Sequence, residues 1–288
     1  MLHHKFNEVL TMVEANIPVL LTGEKGSGKT TLAKQVSEHL KIDFFSVSMT
    51  RQTTLSHLLG FMSVNGTYVP SQLRKVAEEG GAFLLDEIDA GDANVLLALN
   101  TIENGFISFP DGIVELHKDF RLLATANPQD QHDHYVGRSK LDAATLDRFD
   151  EINIDHDDNL ERSLVDPDVF MHIDALRSAL ASTNSSITIS MRDAMRFQKR
   201  KELSMLDNYA FRLTRGNQLA FEAYEQVIAS IPKFSDQADC NNIDDLYDLI
   251  KLEAQNAPAS PPASPPPNYT ATDYAEYATS PIPPNGVV

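Results

Sequence analysis

Short runs of consecutive apolar residues alternate, through the first half of this chain, with stretches whose apolar positions recur every three or four residues. Five runs read as strands: 18–22, 44–48, 82–86, 121–126 and 151–154. These short apolar segments alternate with helical patterns. That is the pattern of a mostly parallel sheet with helices on both sides. The stretch 31–41 reads as the helix after the first strand, with Leu32, Val36 and Leu40 on one face. Two hairpins interrupt the alternation. Phe61-Met62-Ser63-Val64 and Thr67-Tyr68-Val69 flank Asn65-Gly66, a two-residue turn signal. The runs 106–109 and 113–116 flank Pro110-Asp111-Gly112. Both hairpins fall between sheet strands, as insertions in an α/β core spanning 1–156.

From 157 to 235 the pattern turns helical, with apolar residues at three-and-four spacing in 170–181, 192–201 and 218–231. Ser190 followed by Asp193 resembles a capping box opening the middle helix. This predicts a second, smaller, all-helical unit, followed by a helical extension over 236–256. Residues 257–288 hold 9 of the 15 prolines among Ser, Thr and Ala, the composition of a disordered tail. Its Tyr269, Tyr274 and Tyr277 read as solvated filler, with a short docking motif as the alternative.

Composition narrows the function classes. Lys and Arg total 24 against 41 Asp and Glu, a formal net charge of −17. A chain this acidic is repelled as a whole by phosphate backbones, which argues against non-specific nucleic-acid binding. The basic run Lys199-Arg200-Lys201 reads as a solvated helix face. No apolar run approaches the roughly 20 residues needed to cross a bilayer, and the first residues lack the apolar stretch of a secretion signal. A single cysteine, Cys240, rules out an intramolecular disulfide framework and fits a reducing compartment. The expectation is a soluble, cytoplasmic protein without a membrane partner.

The strand at 18–22 runs into Gly23-Glu24-Lys25-Gly26-Ser27-Gly28-Lys29-Thr30, with Thr31 continuing the helix. This matches the phosphate-loop pattern G-x-x-x-x-G-K-[ST] at every fixed position. The glycines let successive backbone N–H groups curl around a polyphosphate, which also meets the positive end of the following helix. Lys29 would reach the β- and γ-phosphates, and the Thr30 hydroxyl would hold Mg²⁺. The motif predicts binding of a nucleoside triphosphate. No N/TKxD guanine-reading motif is present, which argues against a Ras-type GTPase.

Phe83-Leu84-Leu85-Asp86-Glu87 places two acids at the carboxyl end of a buried strand, where ligands sit in open α/β sheets. Asp86 would hold Mg²⁺ through water, and Glu87 would polarise the attacking water as general base. Asn127 ends the next strand, in Ala124-Thr125-Ala126-Asn127-Pro128. It either hydrogen-bonds a γ-phosphate or simply starts the turn before Pro128. Arg148, in Leu146-Asp147-Arg148-Phe149, has two options. One is a surface salt bridge to Asp147 or Asp150; the other is an arginine finger donated to a neighbouring subunit. The His132-Asp133-His134 and Asp155-His156-Asp157-Asp158 runs contain metal-friendly residues without an established ligand spacing. They read as solvated or nucleotide-proximal loops.

Taken in this order, the phosphate loop, Leu84-Leu85-Asp86-Glu87, Ala124-Thr125-Ala126-Asn127 and Leu146-Asp147-Arg148-Phe149 resemble an AAA+ ATPase, over about residues 5–230. The Gly137-Arg138 to Phe149 stretch and both hairpins resemble the dynein-related branch. That branch includes MoxR-type ATPases, midasin modules and the ATPase subunit of cobalt chelatase; stand-alone bacteriophage ATPases are also similar. The resemblance implies an α/β fold: a P-loop core with a five-stranded parallel sheet and two hairpin insertions, then a helical lid and a disordered Pro-rich tail. It implies ATP and Mg²⁺ as ligands and a ring, usually a hexamer, with sites between subunits. It assigns Lys29 and Thr30 to the first Walker motif, Asp86 and Glu87 to the second, and Asn127 to sensor 1. Arg148 becomes the finger in trans, Arg138 a second candidate finger, and Arg192 the sensor 2 arginine, with Arg196 as its fallback. The expected activity is ATP hydrolysis that drives remodelling of a protein client, with a von Willebrand-type domain protein as one candidate. A nucleotide-gated scaffold or chelatase subunit is the competing reading, and a nucleic-acid motor the third.

Overall fold

Along the chain, α1 (Phe6–Glu14) precedes β1 (Val19–Thr22), α2 (Lys29–Leu40) and β2 (Phe44–Ser48). A short α3 (Leu55–Leu59) leads into β3 (Phe61–Met62) and β4 (Tyr68–Val69), then α4 (Gln72–Glu79) and β5 (Gly81–Asp86). Next come α5 (Ala93–Leu96), the hairpin of β6 (Phe106–Phe109) with β7 (Gly112–Glu115), and β8 (Phe120–Ala126). The last strand, β9 (Asp150–Asn153), follows α6 (Ala143–Leu146). The remainder is helical: α7 (Asp158–Leu164), α8 (Pro167–Ser182), α9 (Met191–Glu202), α10 (Tyr209–Leu213) and α11 (Gln218–Ser230). These come from a computed structural model that describes residues 1–128, 141, 143–183, 185, 187–205 and 209–230. Arg138, the 132–134 run, Cys240, the 236–256 extension and the 257–288 tail lie outside the described residues.

Five strands form one parallel sheet in the order β2-β5-β8-β1-β9. The continuous apolar runs are explained by the two faces. Val19, Leu21, Ala82, Leu84 and Leu123 point into one core, with Phe6, Val9, Leu32 and Val36 from α1 and α2. Leu20, Phe83, Leu85, Leu122 and Ala124 point into the other, with Leu58, Leu73 and Val76 from α3 and α4. Alternate side chains thus fill opposite cores, so the inner strands are mostly apolar, while β2 at the sheet edge exposes Ser46 and Ser48.

Boundaries fall within a residue of expectation at four strands and match at β2. Pro18 stays outside β1 because it has no N–H to give to the ladder, though its carbonyl accepts from the Asp150 amide at 2.9 Å. The Asn65-Gly66 hairpin departs further. Met62 pairs with Tyr68, so five residues and not two connect the strands. The Ser63 amide donates to the Thr67 carbonyl at 2.8 Å and the Gly66 amide to the Ser63 carbonyl at 2.9 Å. The Thr67 amide adds a bond to Ser63 Oγ at 3.1 Å, which holds the wider turn.

In the helical part, α8 packs on α9 and α11. Val169, Phe170, Ile173, Leu176 and Leu180 of α8 are buried. His172 stacks on Phe197 and its Nδ1 lies 2.8 Å from the Tyr224 hydroxyl. The capping box at α9 is present: the Asp193 amide donates to Ser190 Oγ, and the Ser190 amide donates to the Asp193 carboxylate. Among the described residues no helix is long and apolar enough to cross a membrane.

Candidate functional site

The carboxyl ends of β1, β5, β8 and β9 lie side by side in the sheet, and the glycine-rich loop, Asp86, Glu87 and Asn127 sit at or just beyond three of them. The loop from Gly23 to Gly28 leaves β1 and turns directly into α2. Gly28 caps that helix at φ 96°, a left-handed conformation that disfavours any side chain. Gly26 has a different constraint: a Cβ on it would collide with Ser190, the N-cap of α9. Lys29 Nζ donates to the carbonyls of Gly23 at 2.7 Å and Glu24 at 2.8 Å, so the ammonium lies folded over the loop. Ser27 Oγ is buried and has no hydrogen-bond partner among the described residues. A buried hydroxyl without a partner, in a glycine-rich loop that opens a helix, fits a loop that takes a further polar partner from a bound ligand.

Opposite the loop, Asp86 and Glu87 end β5. Thr30 Oγ1 donates to Asp86 Oδ1 at 3.1 Å, which joins the helix start to the strand end. Thr125 Oγ1, on the adjacent β8, donates to the same carboxylate oxygen at 2.6 Å and accepts from the Glu87 amide at 2.8 Å. One hydroxyl therefore clamps both acids. Glu87 itself sits at φ 59°. For a residue with a Cβ this costs about 1–2 kcal/mol, and it turns the chain sharply at the strand end. Asn127 is buried, and with Lys29, Thr30, Asp86, Glu87, Thr125 and Arg192 it lines a single cleft. Lys25, Gly26, Gly28 and Thr31 complete its rim.

Arg192 reaches this cleft from the second position of α9, next to Ser190 and its contact with Gly26. Arg196, one turn on, is exposed and lies 3.4 Å from Asp193. Beyond the loop a second, broader cleft opens between Gly23–Ser27, the end of β9, and α8, with Ile154, Leu180 and Ile189 on its walls. Beneath it lies a polar cluster. Glu161 is fully buried and receives Arg177 through both Nη atoms, at 2.6 and 2.9 Å, and His156 Nε2 at 2.9 Å. Burial opposes its charge, but the hydrogen bonds from His156 and Arg177 outweigh it and hold the carboxyl below the usual glutamate range.

The Asp155-His156-Asp157-Asp158 run is divided between jobs. Asp155 and His156 line the broader cleft. Asp157 caps α7, accepting from the Leu160 amide at 2.9 Å and the His4 amide at 2.8 Å. The groupings His156–Asp158–Glu161 and His3–His4–Asp157 have metal-ligand spacing. In the first, Glu161 is taken up by Arg177. In the second, His3 uses both ring nitrogens on the main chain, at Asp155 O and the Lys5 amide.

Arg148 does not join the phosphate cleft. It lies at the other end of the sheet, beside Pro18, Ile102 and Phe149. Of the surface pairings weighed for it, neither Asp147 nor Asp150 is the partner; its Nε stands 3.7 Å from Glu103. The basic run on α9 is taken up locally, with Lys199 on Glu202, Lys201 on Asp166 and Asp168, and Arg200 over the Tyr209 ring. Sequence reasoning missed Thr125 as a clamp and the Glu161–Arg177 pair. A lone hydroxyl inside an apolar strand was the available signal for Thr125, since such a group needs a buried partner.

Comparison with known proteins agrees with this geometry. Residues 18–149 match the AAA domain of the dynein-related subfamily. Midasin from Giardia intestinalis is 30% identical over 145 residues, covering 48% of this chain and 3% of midasin. An uncharacterized protein of Staphylococcus saprophyticus is 26% identical over 165 residues, 53% of this chain and 61% of that one. The chain thus spans less than two thirds of the length of each relative. Among solved structures, NtrX from Brucella abortus superposes with a TM-score of 0.51 at 16% identity, over 86% of this chain and 61% of NtrX. A second NtrX structure, in complex with ADP, gives 0.50 at 15%, over 87% of this chain and 61% of that one. These two likenesses establish the fold. Residues 18–149, a little under half of the chain, thus carry an AAA domain of the dynein-related subfamily.

Proposed function

We propose that this protein binds and hydrolyses ATP and works as a ring motor, a hexamer in the manner of its family, that remodels a partner protein or complex in the cytoplasm. The observation that carries the reading is the single cleft in which Lys29, Thr30, Asp86, Glu87, Asn127 and Arg192 converge. The loop amides and Lys29 would hold the phosphates, with Ser27 Oγ supplied with the partner it lacks. Thr30 Oγ1 and Asp86, 3.1 Å apart, would hold Mg²⁺. The ion would neutralise charge on the β- and γ-oxygens when bound. Glu87 would take the proton of the attacking water, Asn127 would orient that water or the γ-phosphate, and Arg192 would meet the γ-phosphate from α9. NtrX, which shares the fold, has been solved with ADP, and this supports the nucleotide assignment.

Arg148 lies outside the cleft of its own chain. That position suits a finger offered to a neighbour's nucleotide, and Arg138 is kept as a second candidate. The client would be a protein, with a von Willebrand-type domain among the candidates, and the exposed Phe61, Met62 and Val64 of the first hairpin offer it an apolar contact. The test is light scattering of Glu87→Gln with and without ATP and Mg²⁺, alongside its turnover. The expected outcome is bound ATP, a particle of about six subunits and no phosphate release. Retained turnover would remove Glu87 as the base, and a monomer under both conditions would favour a scaffold or complex subunit over a ring motor.

A further inference from the structure

The start of α9 is held from two sides. On one side Ser190 packs into the space where a side chain on Gly26 would stand, so the phosphate loop and the helix N-terminus are in direct contact. On the other side Arg177 Nε donates to the carbonyl of Ile189 at 3.0 Å, one residue ahead of the N-cap. The remaining prongs of that guanidinium are fixed on Glu161, a fully buried carboxylate from α7 that also binds His156. Three donors on one carboxylate, with a bidentate fork among them, make a rigid anchor. The anchor ends at the backbone of the residue three positions before Arg192. Ile189 is itself buried, so the carbonyl it presents has little freedom to drift.

We infer that the Glu161–Arg177 pair is a positioning device for Arg192: it sets the height of the α9 N-terminus over the phosphate loop and so decides whether Arg192 reaches a terminal phosphate. The inference rests on the proposed nucleotide site. Arg177 acts here through the Ile189 carbonyl and not by touching the phosphates. Its loss should therefore remove discrimination between nucleoside tri- and diphosphate while sparing the contacts that both share. A pair that merely held the helices together would lower stability and leave that discrimination unchanged.

The experiment measures the affinities of the full chain for ATPγS and ADP, with Mg²⁺, by calorimetry. Three variants are compared with the wild type: Arg192→Ala, the double change Glu161→Met with Arg177→Met, and the triple combination. Removing both charges together avoids leaving a buried carboxylate unpaired. The expected result is an ATPγS-over-ADP preference reduced about tenfold by Arg192→Ala and equally by the double change, with ADP affinity within about threefold of wild type; tenfold is the size of one strong charge-assisted contact. The triple variant should lose nothing more, because both changes remove the same contact. Arg177→Lys, which keeps a cation on Glu161 but gives up the fork and the Nε bond, guards against a double variant that fails to fold. It should lose at least threefold of the preference. A wild-type preference retained in both the double variant and Arg177→Lys overturns the inference, as does a triple variant whose losses add. A wild-type chain that binds neither nucleotide overturns the functional reading itself, and this inference with it.

Discussion

The Thr125 hydroxyl offers the sharpest probe of the cleft, because Thr125→Val removes one oxygen and keeps the shape. Thr125 is 1% exposed, so water cannot stand in for the lost group. Two bonds go with it: the 2.6 Å bond to Asp86 Oδ1 and the 2.8 Å bond from the Glu87 amide. A hydrogen bond to a charged group contributes about 1.5–3 kcal/mol, and stranding a buried amide costs about 1–3 kcal/mol. The two share one oxygen and are not additive, so a net loss of about 3 kcal/mol is expected. That is well inside the roughly 5–15 kcal/mol that holds a domain together, and the variant should fold. Its effect on chemistry should be of similar size to its effect on folding, since a hundredfold in rate is about 2.7 kcal/mol. Glu87 sits at φ 59° with its amide on that hydroxyl, so the bond supports the turn. Released, the backbone relaxes toward ordinary angles and carries the carboxylate away from where an attacking water would sit. A displacement of about 1 Å lowers rates by about a hundredfold. Urea denaturation followed by circular dichroism gives the stability, and phosphate release under saturating ATP and Mg²⁺ gives the turnover. Thr125→Ser keeps the hydroxyl and should recover most of both. A Thr125→Val protein with wild-type turnover and a stability change under about 0.5 kcal/mol, the size of an ordinary surface substitution, would refute the clamp.

Gly26→Ala places a Cβ against Ser190 at a backbone φ of 84°. It should weaken nucleotide binding by more than about tenfold, by forcing the loop and α9 apart; unchanged affinity in a fluorescent-nucleotide titration would count against their contact. Arg148→Ala should leave ATP binding within about threefold and lower turnover by about a thousandfold, the scale of an arginine finger. Partial recovery on mixing with Lys29→Ala would show that it acts between subunits, and its absence that it does not. The pKa of His172 is lowered from 6.5 by burial, so the unfolded chain takes up this proton at a higher pH than the folded one. Its contribution to stability is complete above 6.5 and is lost as the pH falls through the folded value. Replacing it, as in His172→Phe, should flatten the decline of the urea midpoint as the pH falls below about 6.5; an unaltered slope would place the titration elsewhere.

How much of this was legible in advance depended on the distance over which each feature is decided. The strand 82–86 was readable because burial on both faces demands an apolar run, unbroken here from Ala82 to Leu85. The phosphate loop was readable because its glycines, Lys29 and Thr30 are contiguous, and backbone angles such as the φ of 96° at Gly28 leave a local mark on residue choice. Asn65-Gly66 announced a turn, but its size was set by the Ser63 side chain closing on Thr67, which turn statistics do not weigh.

Features made by two distant segments left no such mark. Thr125 meets Glu87 across 38 residues and Asp86 across 39, and nothing near any of them names the partner. Glu161 and Arg177, 16 apart on different helices, look from the sequence like two ordinary surface charges until packing buries the carboxylate. The sequence by itself determined the sheet strands, the glycine-rich loop with its phosphate-loop motif and the acids at the strand end, because periodicity and contiguous motifs are local. Only the tertiary structure decided which hydroxyl clamps those acids, which carbonyl steadies α9 over the loop, and that Arg148 lies outside its own chain's cleft. A buried polar group must be matched by whatever packing brings to it, and the chain records the need without recording the match.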